Sequence, residues 1–342
     1  MSAGSADTSL SDSQWRLLRC LADGRFCSGA ELARQLGLTR AAVWKQVHGL
    51  ESLGLAVYSV AGRGYRLAGP LELLDAGAIL DALSPQARPL VADLRVHAVL
   101  DSSNAQLLRL DAPARDGALA CLAEMQTAGR GRSGRHWVSP FGASIYLSLL
   151  WRFPEGPAAL GGLSLAVGVA TVRALRRCGV EGVGLKWPND LLWRGRKLGG
   201  VLIEVVGESH GPCRAVVGLG INGTMPERAG ADIDQDWVDL AEVCGGDPPS
   251  RNRLAALLVE ELVVLLSAYS SSGLKAYLPE WRQLNCVLDR PVVMHLADRY
   301  ESGVARDVTE DGLLLLELPD GSRKAYASGE VRLRVADARP IP

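Results

Sequence analysis

Several kinds of protein are excluded by what this chain has little of. Its 342 residues carry 37 lysines and arginines against 38 aspartates and glutamates, a formal net charge of −1. No global excess of positive charge marks it as a nucleic-acid binder, so any DNA contact must come from a local basic face. The seven cysteines (Cys20, Cys27, Cys121, Cys178, Cys213, Cys244, Cys286) are scattered and form no Cys-x-x-Cys pair. That argues against a disulfide framework and a zinc site, and for a reducing compartment. The longest apolar stretch, Leu254 to Tyr269, is interrupted by Glu260 and Glu261 and reads as an amphipathic helix, not a membrane span. Residues 1–9 read as disordered, and the Ser/Ala/Asp-rich start lacks the apolar core of a signal peptide. No G-x-x-x-x-G-K-[ST] loop, internal repeat or low-complexity segment occurs. With 48% hydrophobic and 22% charged residues, the expectation is a soluble, cytoplasmic protein of two or three domains with no membrane partner.

What is there is a run alternating glycine with arginine, Gln126-Thr127-Ala128-Gly129-Arg130-Gly131-Arg132-Ser133-Gly134-Arg135, and further on Lys186-Trp187-Pro188-Asn189-Asp190. Glycine lets a backbone approach a ligand closely, and arginine offers forked donors suited to phosphate and carboxylate. Alone, the first run would read as a solvated linker or RNA-binding segment, and the second as a polar turn between strands. The flanks argue for a packed domain: Leu119–Ala123 is apolar, and Ile145-Tyr146-Leu147-Ser148-Leu149-Leu150-Trp151 has strand composition. Together the segments suggest a flexible flap over a small anionic, phosphate-bearing molecule.

The N-terminal region has a different texture. Trp15, Leu18 and Leu21 recur at helical spacing, Ser28 with Glu31 suggests a capping box, Gly37 a stop, and Thr39 the cap of a helix running from Arg40 to about Leu53. Two helices across a short Gly-containing turn are the helix-turn-helix signature. A hairpin (Val57–Val60, tip Ala61–Gly64, Tyr65–Leu67) supplies a wing. Arg40, Lys45, Gln46 and His48 on the second helix, with Arg63 and Arg66 on the hairpin, are the candidate contacts to base edges and phosphates; a generic small helical bundle is the alternative. Gly69-Pro70 breaks the chain before Leu71–Leu83, read as a linking helix. Strands over 94–100, 118–125, 144–150, 184–187, 197–204 and 215–221, with helices Leu163–Cys178 and Arg251–Tyr269, suggest a mixed sheet with helices on one face. Beyond Asn285, five short strands separated by Glu310-Asp311-Gly312 and Pro319-Asp320-Gly321 read as a small barrel.

Gln-Thr-Ala-Gly-Arg-Gly-Arg, Trp137-x-Ser139-Pro140-x-Gly142, Lys-Trp-Pro-Asn-Asp, Arg196-Lys197-Leu198-x-Gly200-x-Leu202-x-Glu204 and Gly218-x-Gly220-Ile221-Asn222 follow one another in the order and context of biotin protein ligases. Upstream, Asp101-Ser102-Ser103-Asn104 is similar to that family's Asp-Ser-Thr-Asn, a serine replacing the threonine. The chain resembles this family over nearly its whole length. The resemblance implies an α+β protein with an N-terminal winged helix-turn-helix (residues 10–68), a linker (69–90), a central mixed-sheet ligase domain of the class II synthetase-like type (91–285) and a C-terminal SH3-like barrel (286–342).

The implied reaction joins biotin, through biotinyl-5′-AMP made from ATP with Mg2+, to a lysine of a biotin carboxyl carrier protein. By the same resemblance, Ser102, Ser103, Asn104, Gln126, Arg130, Gly131, Arg132 and Lys197 bind biotin, while Trp137, Asn222, Glu330 and Arg334 bind the nucleotide. Lys186, Lys197, Arg130 and Arg132 are the candidate catalytic cations for the α-phosphate; no protein-bound metal is expected. Asn104 could instead be a helix N-cap, Trp137 a core aromatic, Asn222 a turn former and Lys186 a solvated strand end. The implied partners are operator DNA, through biotin-responsive repression as a homodimer formed with adenylate, and the carrier protein. A metabolite-sensing transcription factor without ligase activity, and a lipoate or octanoate ligase, are the alternatives.

Overall fold

A computed structural model describes residues 10–110, 117–208, 211–296 and 300–327, and the backbone of 332–335. Residues 1–9 and Glu330 lie outside the described residues, as do the side chains of 332–335.

Helices α1 (Asp12–Leu21), α2 (Gly29–Leu36) and α3 (Arg40–Glu51) bury Leu17, Leu18, Leu21, Leu32, Leu36, Val43, Val47 and Leu50 against one another. The capping box lies at α1, where Ser11 and Gln14 exchange bonds. At α2, Ser28 accepts from the Glu31 backbone, but the Glu31 carboxylate is taken by Arg34 and Gln35, so the expected reciprocal bond is absent there. Gly37 stops α2 at φ +68°, as only a residue tolerant of left-handed backbone can. The wing, β1 (Val57–Val60) and β2 (Gly64–Leu67), is tied to the segment just before α2 by paired bonds between Cys27 and Tyr65. Gly64 is required there: a Cβ would lie 2.1 Å from the Cys27 carbonyl oxygen.

The linker departs from the expected helix. Only Ala76–Asp81 (α4) is helical, capped by Asp75. Tertiary partners claim the preceding backbone: Leu71 N–H donates to Ala22, Leu74 to buried Glu124, and Asp75 to Asn252. Those bonds outweigh a modest local propensity.

Strand β3 (Val91–Leu100), helix α5 (Ser103–Leu108) and strands β4 (Ala118–Gln126) and β5 (Ser144–Phe153) open the central domain. Helix α6 (Leu163–Arg177) and strands β6 (Val183–Lys186), β7 (Asp190–Trp193), β8 (Arg196–Gly207) and β9 (Cys213–Asn222) follow. Two single turns, α7 (Glu227–Gly230) and α8 (Leu240–Val243), precede the long α9 (Arg251–Ser272) and α10 (Leu278–Leu284). The seven strands form one sheet in the order β3-β4-β5-β9-β8-β7-β6, parallel only at β3–β4. Alternation sends Ala118, Ala120, Leu122, Val217 and Leu219 to the face covered by α6 and α9. Leu119, Cys121, Leu150 and Val216 go to the other face, with Leu107 of α5. Helices therefore lie on both faces, not one, and the part of the second face that α5 leaves open holds the pocket described below. By length and composition α9 could cross a membrane, yet Leu258, Leu262, Leu265 and Leu266 are buried in the core.

The C-terminal strands, β10 (Pro291–His295), β11 (Tyr300–Val308), β12 (Leu314–Glu317), β13 (Arg323–Tyr326) and β14 (Arg332–Val335), form an antiparallel sheet ordered β13-β12-β11-β10-β14. It is locked to the pocket's underside by buried Trp187, whose indole N–H donates to Gly312 at 2.9 Å.

Candidate active site and DNA-binding face

A cavity of about 840 Å³ is lined by residues from α5, β4, the Gly-Arg loop, the β6–β7 turn, β8, β9 and the segment 232–237. Its floor is neutral and polar. Ser103 donates from both N and Oγ to Gln126 Oε1 (2.9 and 3.1 Å), and Gln126 Nε2 donates to Ser139 Oγ (3.1 Å). Ser148 Oγ lies 2.7 Å from Ser103 Oγ and 2.6 Å from Asn104 Oδ1. Asn104 is no helix cap, because Ser102 caps α5; its amide donates instead to Glu204 (2.8 Å) and to the Leu202 carbonyl. Gly218 makes room for it, since a Cβ there would lie 2.2 Å from Asn104 Oδ1.

One end of the cavity is charged. Lys186 and Asp190 face each other as the closing pair of the β6–β7 hairpin, and Lys197 reaches in from β8. Asp190 accepts from Lys186 Nζ at 2.6 Å and Lys197 Nζ at 2.7 Å, the two lysine side chains being 18% and 14% exposed. Lys186 is therefore not a solvated strand-end lysine. Burial pushes the Asp190 carboxyl up, but the Lys197 and Lys186 ammoniums outweigh it and hold it below the ordinary carboxylate range. Two ammoniums against one carboxylate leave a net positive charge, suited to a phosphate or carboxylate.

The Gly-Arg loop lines the cavity. Arg130 donates to Glu204 (3.3 Å) and Arg132 to Asn189 Oδ1 (3.2 Å), so the loop spans from the neutral floor to the charged end. Gly131 lines the cavity between them. Trp137 is half-buried on the wall, 5.5 Å from Lys197 Nζ to the ring centroid, and its indole nitrogen is buried without a partner. Gly220 allows that close packing.

Not every sequence candidate reaches ligand space alike. Asn222 lines the cavity, but its amide donates to the Val238 (3.0 Å) and Lys197 (3.4 Å) carbonyls, so it holds the walls together. Arg334 sits in β14 opposite Val293. Sequence reasoning named Asp190 only as the end of its motif, without a role, and missed Ser148 and residues 232–237, which pack beside Lys197 through the Asp236 carbonyl. A lone serine in an apolar strand was the available signal for Ser148; nothing local marks 232–237.

On the N-terminal domain, Arg40, Lys45 and His48 are exposed on α3. Gln46 is not: it turns inward and donates to Ser13 Oγ at 2.7 Å, which removes it from the outward face. On the wing, the Arg63 and Arg66 guanidiniums sit 4.2 and 5.1 Å from the Phe26 ring centroid.

Comparison with known proteins places these features. The biotin/lipoate A/B protein ligase family model matches residues 97–222, an HTH domain model 14–66, and the biotin protein ligase C-terminal domain model 287–334. The solved biotin protein ligase of Aquifex aeolicus in complex with biotin and ATP superposes with a TM-score of 0.60 at 26% identity, covering 72% of this chain and all of that one (100%). The bifunctional ligase/repressor BirA of Salmonella typhimurium is 42% identical over 94% of this chain and 97% of its own length. That of Escherichia coli is 41% identical over the same shares. The chain belongs to the family of bifunctional biotin ligase/repressors.

Proposed function

We propose that this protein activates biotin with ATP, transfers it to a lysine of a biotin carboxyl carrier protein, and represses biotin-synthesis genes in response to biotin. The observation that carries the ligase reading is one cavity joining a neutral floor of paired donors and acceptors to a buried Lys186–Asp190–Lys197 cluster. The floor (Ser102, Ser103, Asn104, Gln126) suits a ureido ring, which needs both bond types; a lipoyl or octanoyl tail would want an apolar one. A carboxylate oxygen of biotin attacks the α-phosphorus of Mg·ATP, the bond to the bridging oxygen of the β-phosphate breaks, and pyrophosphate leaves. The neutral amine of the acceptor lysine then attacks the acyl carbon, the bond to AMP breaks, and the amine loses its proton.

In this reading Lys197 and Lys186 neutralise charge growing at the carboxylate–phosphate junction, while Arg130, Gly131 and Arg132 close over the adenylate and exclude water. Trp137 faces the adenine and Asn222 holds the surrounding backbone. Glu330 and Arg334 belong to nucleotide closure on sequence grounds alone. The working division is a DNA-binding unit (10–68), a linker, a catalytic domain (91–285) and a C-terminal sheet, in a cytoplasmic protein that dimerises on operator DNA when adenylate is bound. Pyrophosphate release on adding biotin separates a ligase from a pure sensor. Competition among free biotin, lipoate and octanoate tests the substrate: biotin must win.

A further inference from the structure

We propose that Trp44 reads thymine in the DNA major groove and sets the operator preference of this protein, an inference that rests on the repressor reading above. Helix α3 turns Val43, Val47 and Leu50 inward, and Gln46 is bonded to Ser13. Ala41, Trp44, Lys45 and His48, at the i, i+3, i+4, i+7 spacing of one helix face, form the outward stripe. In a helix-turn-helix it is this stripe of the second helix that meets base edges. Trp44 is 55% exposed, too open to be explained by core packing.

The ring is held in place from its own helix. His48 lies with its ring centroid 4.0 Å from that of Trp44, and its Nδ1 is 2.9 Å from the Trp44 carbonyl oxygen. A carbonyl only accepts, so Nδ1 carries the proton and Nε2 is left for an outside partner. On the same helix, Arg40 precedes the indole by one turn and Lys45 follows it directly, while Arg63 and Arg66 stand on the wing beside Phe26. An apolar plate on a helix that also carries exposed Arg40 and Lys45 matches duplex DNA: the cations take phosphates, which position, and the plate takes what phosphates cannot supply. The apolar feature of the major groove is the thymine methyl.

The test uses the full chain saturated with biotin and ATP, first to select sites from a randomised duplex pool. Trp44→Ala should then bind the selected site about five- to hundredfold more weakly, the range carried by one base contact. Affinity for random duplex and the salt slope should not move, because phosphate contacts are untouched. Replacing thymines one at a time by deoxyuridine, which lacks only the methyl, should weaken the wild type at one or two positions and cost Trp44→Ala nothing more there. Unchanged discrimination by Trp44→Ala overturns the proposal, as does an equal loss on random DNA, or a change in self-association alone. Should Trp44→Ala fail to fold, the deoxyuridine series on the wild type decides by itself. A wild type that selects no sequence overturns the repressor reading, an outcome distinct from the failure of Trp44.

Discussion

At the scale of single residues, the chemistry concentrates on the carboxylate that holds two lysines. Asp190 gives Lys186 and Lys197 a shared partner, so removing one lysine leaves the other paired. Lys197→Ala should therefore fold normally and lose about 3 kcal/mol of transition-state stabilisation, roughly a hundredfold in adenylate formation. Near-normal pyrophosphate release by the folded variant would remove Lys197 from the mechanism. Asp190→Asn is predicted to behave differently, leaving two largely buried ammoniums without their counter-charge at a cost of about 3 kcal/mol in stability. The sign of its pH dependence is fixed, because the folded carboxyl titrates below its ordinary range. Its stabilising share is present above the ordinary value of about 4 and is lost as pH falls through the lower folded value. Denaturation of wild type and variant should thus differ most near neutrality and converge in acid; a gap that widens on acidification contradicts the assignment.

At the scale of elements, the Gly-Arg loop is the part whose freedom matters. Its arginine side chains reach across to Glu204 (from Arg130) and Asn189 (from Arg132), both through single long hydrogen bonds of 3.3 and 3.2 Å. Arg132→Gly should leave the fold intact but let biotinyl-adenylate escape, so that lysines of bystander proteins are labelled. Mass spectrometry of a mixture with serum albumin checks this, and labelling confined to the carrier protein at the wild-type rate would show that the loop retains nothing. Much of this scale was legible in the sequence, because caps and turns act locally: Ser28, Thr39, Gly37 and Gly179 mark helix ends where the chain places them. What escaped was set from a distance. The linker is extended because Ala22, Glu124 and Asn252 claim its backbone. Gln46 faces α1 because Ser13, far off in sequence, offers a partner. Strand β7 lies between the strands read at 184–187 and 197–204, while the polar turn is real: it joins β6 to β7 and delivers Asp190.

At the scale of the whole molecule, two functions share one chain whose domains touch. Leu71 and Leu73 of the linker and Phe141, two residues from the Ser139 that holds the pocket's Gln126, pack on the N-terminal core. Deleting residues 1–68 should abolish DNA binding and leave part of the ligase activity. Binding of the intact protein to a palindromic site should tighten when biotin and ATP are both supplied and weaken steeply with salt as condensed counterions are released; indifference to either would contradict coupled repression. The central claim is the ligation itself, and its most direct measurement is transfer of labelled biotin to a purified biotin-carboxyl-carrier domain in the presence of Mg·ATP. The account predicts one biotin on one lysine of that domain, with pyrophosphate and AMP released in equal amounts. No label on the carrier after adenylate has demonstrably formed, or label that appears without ATP, would contradict it.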